Sequence, residues 1–117
     1  MPSLIRQLRL ESSRASVLVS MQPDCADAGL TVPLTGAKMY FVVLNSGQAL
    51  EALGVTLAHE MVHVSQMAKG TLQGAPRGAS RWSGVHYAKS TPYLERPWEI
   101  QAFAKQELLL RRAITEA

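Results

Sequence analysis

Cysteine is almost missing from this chain. Cys25 stands alone among 117 residues, so no internal disulfide can form and the fold has to rest on its core. A chain without such staples suits a reducing compartment, and the cytoplasm is the expected location. Long apolar runs are missing too. The longest, Met39 to Leu44, is six residues, against roughly 20 for a membrane-crossing helix, so no membrane partner is expected. The first residues, Met1 to Arg9, break their apolar positions with Arg6, Gln7 and Arg9, which is unlike the continuous apolar segment of a secretory signal. Repeats and low-complexity tracts are absent.

Charge of one sign is scarce. Twelve Lys and Arg face nine Asp and Glu, for a net charge of +3, which is modest for a nucleic-acid binder. Aromatic residues make up 6% of the chain and are not interleaved with basic ones, so nucleic acid is not an expected partner. Residues 71 to 91 contain no Asp or Glu, yet carry Arg77, Arg81 and Lys89. That segment reads as a solvated basic loop. No pattern specifies an oligomer.

What is present is apolar residue in quantity, 47% of the total. This is enough for one compact domain with a real core and too little chain for two, so residues 1–117 are expected to form a single domain. Leu4 to Glu11 and Ala15 to Met21 read as a hairpin, with Ser12-Ser13-Arg14 between them. Pro23, Gly29, Pro33 and Gly36 mark Gln22 to Gly36 as a loop enclosing one short strand near Leu30 to Leu34. Lys38 to Leu44, rich in Val and aromatics, is the clearest strand.

The apolar period then lengthens. Leu50, Leu53, Leu57, Met61, Val64 and Met67 recur at three- and four-residue steps, which predicts a helix over about 47 to 69. Asn45-Ser46 offers a capping side chain at its start, and Lys69-Gly70 ends it. Gly54 inside it suggests close packing against a neighbouring backbone. Arg81 to Tyr87 is expected to form a short strand or hairpin. Pro97 opens a second helix running to about Thr115, with Ile100, Phe103, Leu108, Leu109, Leu110 and Ile114 as its expected buried set.

The chemistry lies on the first helix, where His59-Glu60-Met61-Val62-His63 forms H-E-x-x-H. Four residues advance a helix by about 40° beyond a full turn, so both imidazoles project from one face and can hold a single Zn²⁺. Glu60, at the edge of that face, can act as general base on a water without being a ligand. A shuffled chain with three His and seven Glu would carry this motif roughly 0.004 times, which excludes coincidence as the working explanation.

A catalytic zinc needs a third protein ligand. The extended metzincin motif would place Gly at 66 and His at 69, where this chain has Gln66 and Lys69. The ligand must therefore come from elsewhere: His86, Glu95 and Glu99 are candidates, and Asp24, Asp27, Cys25 and Glu107 are weaker ones. Glu99 leads, because among Trp98, Ile100, Ala102 and Phe103 an unpaired carboxylate would be costly and a metal would remove that cost. Glu95, four residues earlier, is the runner-up. An oxyanion donor is also required; Tyr87, His86 and Tyr93 all lie between the ligand segments, with Tyr87 preferred.

In these residues the chain resembles the zincin metallopeptidases, and within them the gluzincin-like pattern in which a downstream helical Glu completes a His-His-Glu site. More narrowly, His59 to Gln66, Trp82 to Tyr87 and Pro97-Trp98-Glu99-Ile100-Gln101-Ala102 look like the small zincins encoded by bacteriophages and prophages. The resemblance covers about residues 57 to 106. It implies zinc held by His59, His63 and Glu99, with Glu60 as base and a peptide or protein as substrate. The spacing between the two helices is shorter than in larger peptidases of this kind.

The expectation is thus an α+β fold. A small, mainly antiparallel sheet from the N-terminal half packs on the H-E-x-x-H helix, and a C-terminal helix brings in Glu99. The expected activity is zinc-dependent peptide hydrolysis. Two further possibilities are a non-catalytic zinc-binding assembly protein, for example of a phage particle, and a zinc amidase acting on cell-wall peptides. The segment around Trp82 and the strand Lys38 to Leu44 are the expected places for an extended peptide to pair by β-augmentation.

Overall fold

The computed structural model describes residues 16–23, 27–34, 38–74 and 79–116. Over these the order is β1 (Ser16–Gln22), β2 (Gly29–Leu34), β3 (Met39–Asn45), α1 (Leu50–Ala68), β4 (Leu72–Gln73), β5 (Ser80–Trp82), β6 (Val85–Tyr87), a 3-10 turn (Tyr93–Glu95) and α2 (Pro97–Glu116). The fold is α+β. Two three-stranded sheets, ordered β1-β3-β2 and β4-β5-β6, accompany the two helices.

β3 is apolar from Met39 to Leu44, but strand geometry turns alternate residues to opposite faces, with Tyr40, Val42 and Leu44 buried and the residues between them more exposed. It is the central strand of its sheet. β2 pairs with it antiparallel, Thr31 opposite Val42, while β1 pairs on the other side in parallel, Val19 opposite Val42. The N-terminal sheet, expected to be mainly antiparallel, is therefore mixed, with one parallel and one antiparallel ladder, while the β4 to β5 and β5 to β6 ladders are antiparallel. The N-terminal partner expected for β1, Leu4 to Glu11, lies outside the described residues. β5 and β6 form the hairpin anticipated at Arg81 to Tyr87. Its two turn residues, Ser83 and Gly84, have φ of 49° and 85°, the positive values that a tight hairpin turn matching strand twist requires.

α1 is enclosed between the first sheet and α2. From Ala58 to Gln66 every residue is buried, and Ala58, Met61, Val62 and Val64 join Val42 and Leu44 of β3 and Ala102 and Leu109 of α2 in one core. A helix covered on two sides loses its polar stripe to the interior, so its polar side chains need partners. Gly54 allows α2 close: a Cβ there would stand 3.2 Å from Leu110. The neighbour it accommodates is thus a side chain, where a backbone was expected.

Three details differ from expectation. The residue preceding α1 is Ala49, with no side-chain cap; Asn45 Oδ1 instead accepts from the Gly47 amide at 2.9 Å, closing a turn ahead of the helix. Leu50, read as the first core position, is 84% exposed. On α2 the expected buried set is largely outside: Ile100, Phe103, Leu108 and Ile114 are exposed, and the buried positions are Trp98, Glu99, Ala102 and Leu109. At the site the helix turns Glu99 and Ala102 toward α1, and Leu109 joins the shared core further along. Gly70, as expected, ends α1 with a positive φ of 78°. Among the described residues no helix is long and apolar enough to cross a membrane.

These burials predict a stability contrast. Met61→Ala, at a fully buried position, should cost about 2–5 kcal/mol in urea unfolding, whereas Ile114→Ala should stay within about 0.5 kcal/mol. Equal effects would contradict the observed packing of α2.

Candidate metal centre

His59, Glu60 and His63 leave α1 on the side where β2 and α2 meet it. One ligand atom from each can be chosen such that all three lie within 4.8 Å of one another, and all three residues are buried. Glu99 comes from the first turn of α2. Its Oε1 stands 2.9 Å from His59 Nε2 and 3.0 Å from His63 Nε2, so one carboxylate oxygen is shared by both imidazoles. The rings themselves meet edge to face, 4.9 Å between centroids.

Glu99 reaches that point for local reasons. Pro97 opens the helix, and the Glu99 and Ile100 amides both donate to the Arg96 carbonyl. Trp98 is fully buried, its ring met edge-on by Tyr87 at 5.7 Å, and its carbonyl accepts from Gln66 Nε2 at 2.9 Å. The start of α2 is thereby pinned to α1, and Glu99 has only one direction to face. The first-turn position also puts its charge at the positive end of the helix.

The electrostatics follow. Burial alone would raise the Glu99 pKa, but the hydrogen bonds and charge of His59 and His63 outweigh it and bring the carboxyl down to about 2. Burial alone would lower His59. The hydrogen bonds to Glu99 and Gln106 and the negative charges of Glu60 and Glu99 overcome that and hold it above its ordinary value. Both shifts express one fact, that a buried carboxylate and an imidazole face each other and want a positive charge between them.

Glu60 does not share that contact. Its Oε1 accepts from the Thr31 hydroxyl at 2.7 Å, and the same hydroxyl lies 3.3 Å from the Glu60 carbonyl oxygen. Thr31 is buried on β2. Two residues earlier Gly29 lets the strand run close over the helix: a Cβ there would meet Thr56 Cγ2 at 2.6 Å and Glu60 Cγ at 3.0 Å. The strand can support Glu60 because its first residue has no side chain.

Two spaces adjoin these groups. A recess of about 30 Å³ is bounded by Thr31, His59, Glu60, His63, Tyr93 and Glu99, which is room for one water or one small ion. It borders a wider, open cleft of about 610 Å³ lined by Gly29, Val55, His59, Glu60, Tyr93 and Phe103, among others. Tyr93 lines both. The turn that presents it is held by Arg96, whose guanidinium lies 5.8 Å from the Tyr93 ring centre and whose Nε donates to the Thr91 carbonyl at 3.0 Å. Phe103 packs edge-on to His59 at 4.7 Å.

The donor set fits a divalent metal ion. Two imidazole nitrogens and one carboxylate oxygen converge on a recess of the right size. A tetrahedral site with bonds of about 2.0–2.1 Å spaces its donors about 3.3 Å apart, a few tenths of an ångström more than the two Glu99–histidine contacts. Of the residues considered from sequence, His59, Glu60, His63 and Glu99 are brought together. Glu95, His86 and Glu107 are exposed and line neither space, and Asp27 lies on the wall of the cleft; Asp24 and Cys25 fall outside the described residues. Tyr87 lies against Trp98 and lines neither space. Of the segments considered for peptide pairing, β3 is a central strand with both edges occupied, and the one around Trp82 spans central β5 and edge strand β6; among the described residues β2 is the sheet edge beside the site.

Sequence reasoning passed over Thr31, Gln66 and Gln106. Gln66 falls three residues after His63, and Gln106 seven after Glu99, both on the helical period of the site. Thr31 carries no comparable signal, because its contact depends on strand register. Compared with known proteins, the chain matches no family model, no curated protein and no solved structure.

The His59 shift sets a pH dependence. A metal ion taking Nε2 must displace a proton that the folded chain holds above the ordinary imidazole value. Affinity should be full above that raised value and fall as pH drops through it, by up to about tenfold per pH unit for each proton displaced. Competition titrations from about pH 8 to about pH 5.5 would show this, and a flat profile would contradict it.

Proposed function

We propose that this chain is a zinc-dependent hydrolase of peptide bonds, built on a minimal zincin-like plan. One observation carries the reading: His59 Nε2, His63 Nε2 and Glu99 Oε1 converge, while a further carboxylate, Glu60, lines both the recess and the open cleft. A metal held only for stability has no use for an additional carboxylate beside an open position.

In this reading His59, His63 and Glu99 hold the zinc, which when bound supplies Lewis-acid polarisation of a carbonyl and acidification of water. Glu60, held at Oε1 by Thr31, takes a proton from the attacking water at its carboxylate and returns it to the leaving amine nitrogen. Tyr93 is the hydroxyl donor for the developing oxyanion, since it lines the recess while Tyr87 packs on Trp98. The substrate is a peptide laid in the open cleft, extended along the β2 edge, where main-chain hydrogen bonds can add it to the sheet. Gly29, without a side chain, keeps that approach clear.

The test is hydrolysis of a panel of unstructured and cell-wall peptides by zinc-loaded wild type and Glu60→Gln. The variant should keep its zinc and lose about 10²–10⁴-fold in rate. Zinc binding with no cleavage of any peptide by wild type would favour an assembly protein, and cleavage confined to cell-wall peptides would make it an amidase. Undiminished hydrolysis by Glu60→Gln would overturn the assigned base.

A further inference from the structure

Two glutamines approach the histidines from the side opposite Glu99. Gln66 Oε1 is 2.8 Å from His63 Nδ1, and Gln106 Oε1 is 2.8 Å from His59 Nδ1. The amide of Gln66 can point only one way. Its Nε2 donates to the Trp98 carbonyl at 2.9 Å and to Gln101 Oε1 at 3.0 Å, and a carbonyl oxygen can only accept. The oxygen of Gln66 therefore faces His63, and His63 Nδ1 is the atom that carries the hydrogen. Gln106 presents its Oε1 to His59 Nδ1 at the same distance, an acceptor for a hydrogen on that nitrogen. An imidazole with its proton on Nδ1 has its lone pair on Nε2, and in both rings Nε2 is the atom that faces Glu99.

We propose that Gln66 and Gln106 are positioning residues that hold both histidines in the Nδ1-protonated tautomer, so that two lone pairs and a carboxylate oxygen meet at one point. The proposal rests on the zinc reading above and adds how the site is set for a cation before one arrives. With both Nδ1 atoms donating outward, each Nε2 opposes Glu99 acceptor to acceptor unless a proton or a metal ion lies between them. At Gln66, which is buried, glutamine suits this task better than a carboxylate would. A divalent ion already balances Glu60 and Glu99, and further negative charge in a buried site would go uncompensated. Gln66 also joins His63 on α1 to Trp98 and Gln101 on α2, so ring orientation and the placement of Glu99 are set by the same helix contact.

Zinc affinity of wild type, Gln106→Met and Gln106→Glu, measured by competition with a chromophoric chelator, tests the role. Gln106→Met removes the acceptor and should weaken zinc about 10–100-fold, while Gln106→Glu keeps an acceptor and should restore binding to within about threefold of wild type. Long-range proton–nitrogen correlations of the histidine rings in zinc-loaded wild type should show the hydrogen on Nδ1 of both, a readout that needs no variant to fold. Wild-type affinity in Gln106→Met, or rings protonated at Nε2, would overturn the proposal. A wild-type chain that binds no zinc would overturn the zinc reading itself, and the loss would already be present before any glutamine is changed.

Discussion

A carboxylate buried between two imidazoles is the interaction on which this structure turns. Glu99 is 3% exposed, a position where an unpaired charge would cost several kcal/mol, and its oxygen is met by Nε2 of both His59 and His63. The first helix cannot bury its histidines without the second helix, and the second cannot bury Glu99 without the first. Packing of α1 on α2 and assembly of the site are one event. That is why Glu99, Ala102 and Gln106 of α2 face α1 at the site, while Leu109 and Leu110 pack on it further along.

The remaining polar groups inside the core are arranged around that pair. Thr31 meets Glu60, Gln66 meets His63 and Gln106 meets His59, and each partner comes from a different part of the fold or a different turn of the same helix. Partnered in this way, the polar groups of an otherwise apolar layer keep a unique packing, whereas unpartnered ones would undo it. The sheet contributes through closeness: Gly29 brings β2 onto α1, and the hydroxyl two residues later supports Glu60. A small domain thus uses the same residues for core and site. The cleft is open, because the elements that bound it are those that close the core on its other side.

Much of this was legible in the chain. H-E-x-x-H and the helical period around it placed two imidazoles on one face, and the cost of burying Glu99 singled it out from Glu95. The Val and aromatic content of Lys38 to Leu44 made β3 plain, and Arg81 to Tyr87 could be read as a short strand or hairpin. The buried face of α2 was only partly legible from hydropathy: Leu109 is buried as expected, but Glu99 and Ala102 share that face while Ile100, Phe103, Leu108 and Ile114 look outward. Nor was Thr31, whose role depends on which strand lies at the sheet edge and in what register. The parallel pairing of β1 with β3 likewise follows from tertiary packing, because strands of either direction show the same local pattern.

The zinc content of purified wild type and of Glu99→Ala tests the shared-carboxylate site most directly. Roughly one zinc per chain in wild type and clear loss in the variant, with its helix content retained, is the predicted result. Full occupancy in Glu99→Ala, or a wild-type chain that takes up no zinc, would contradict it.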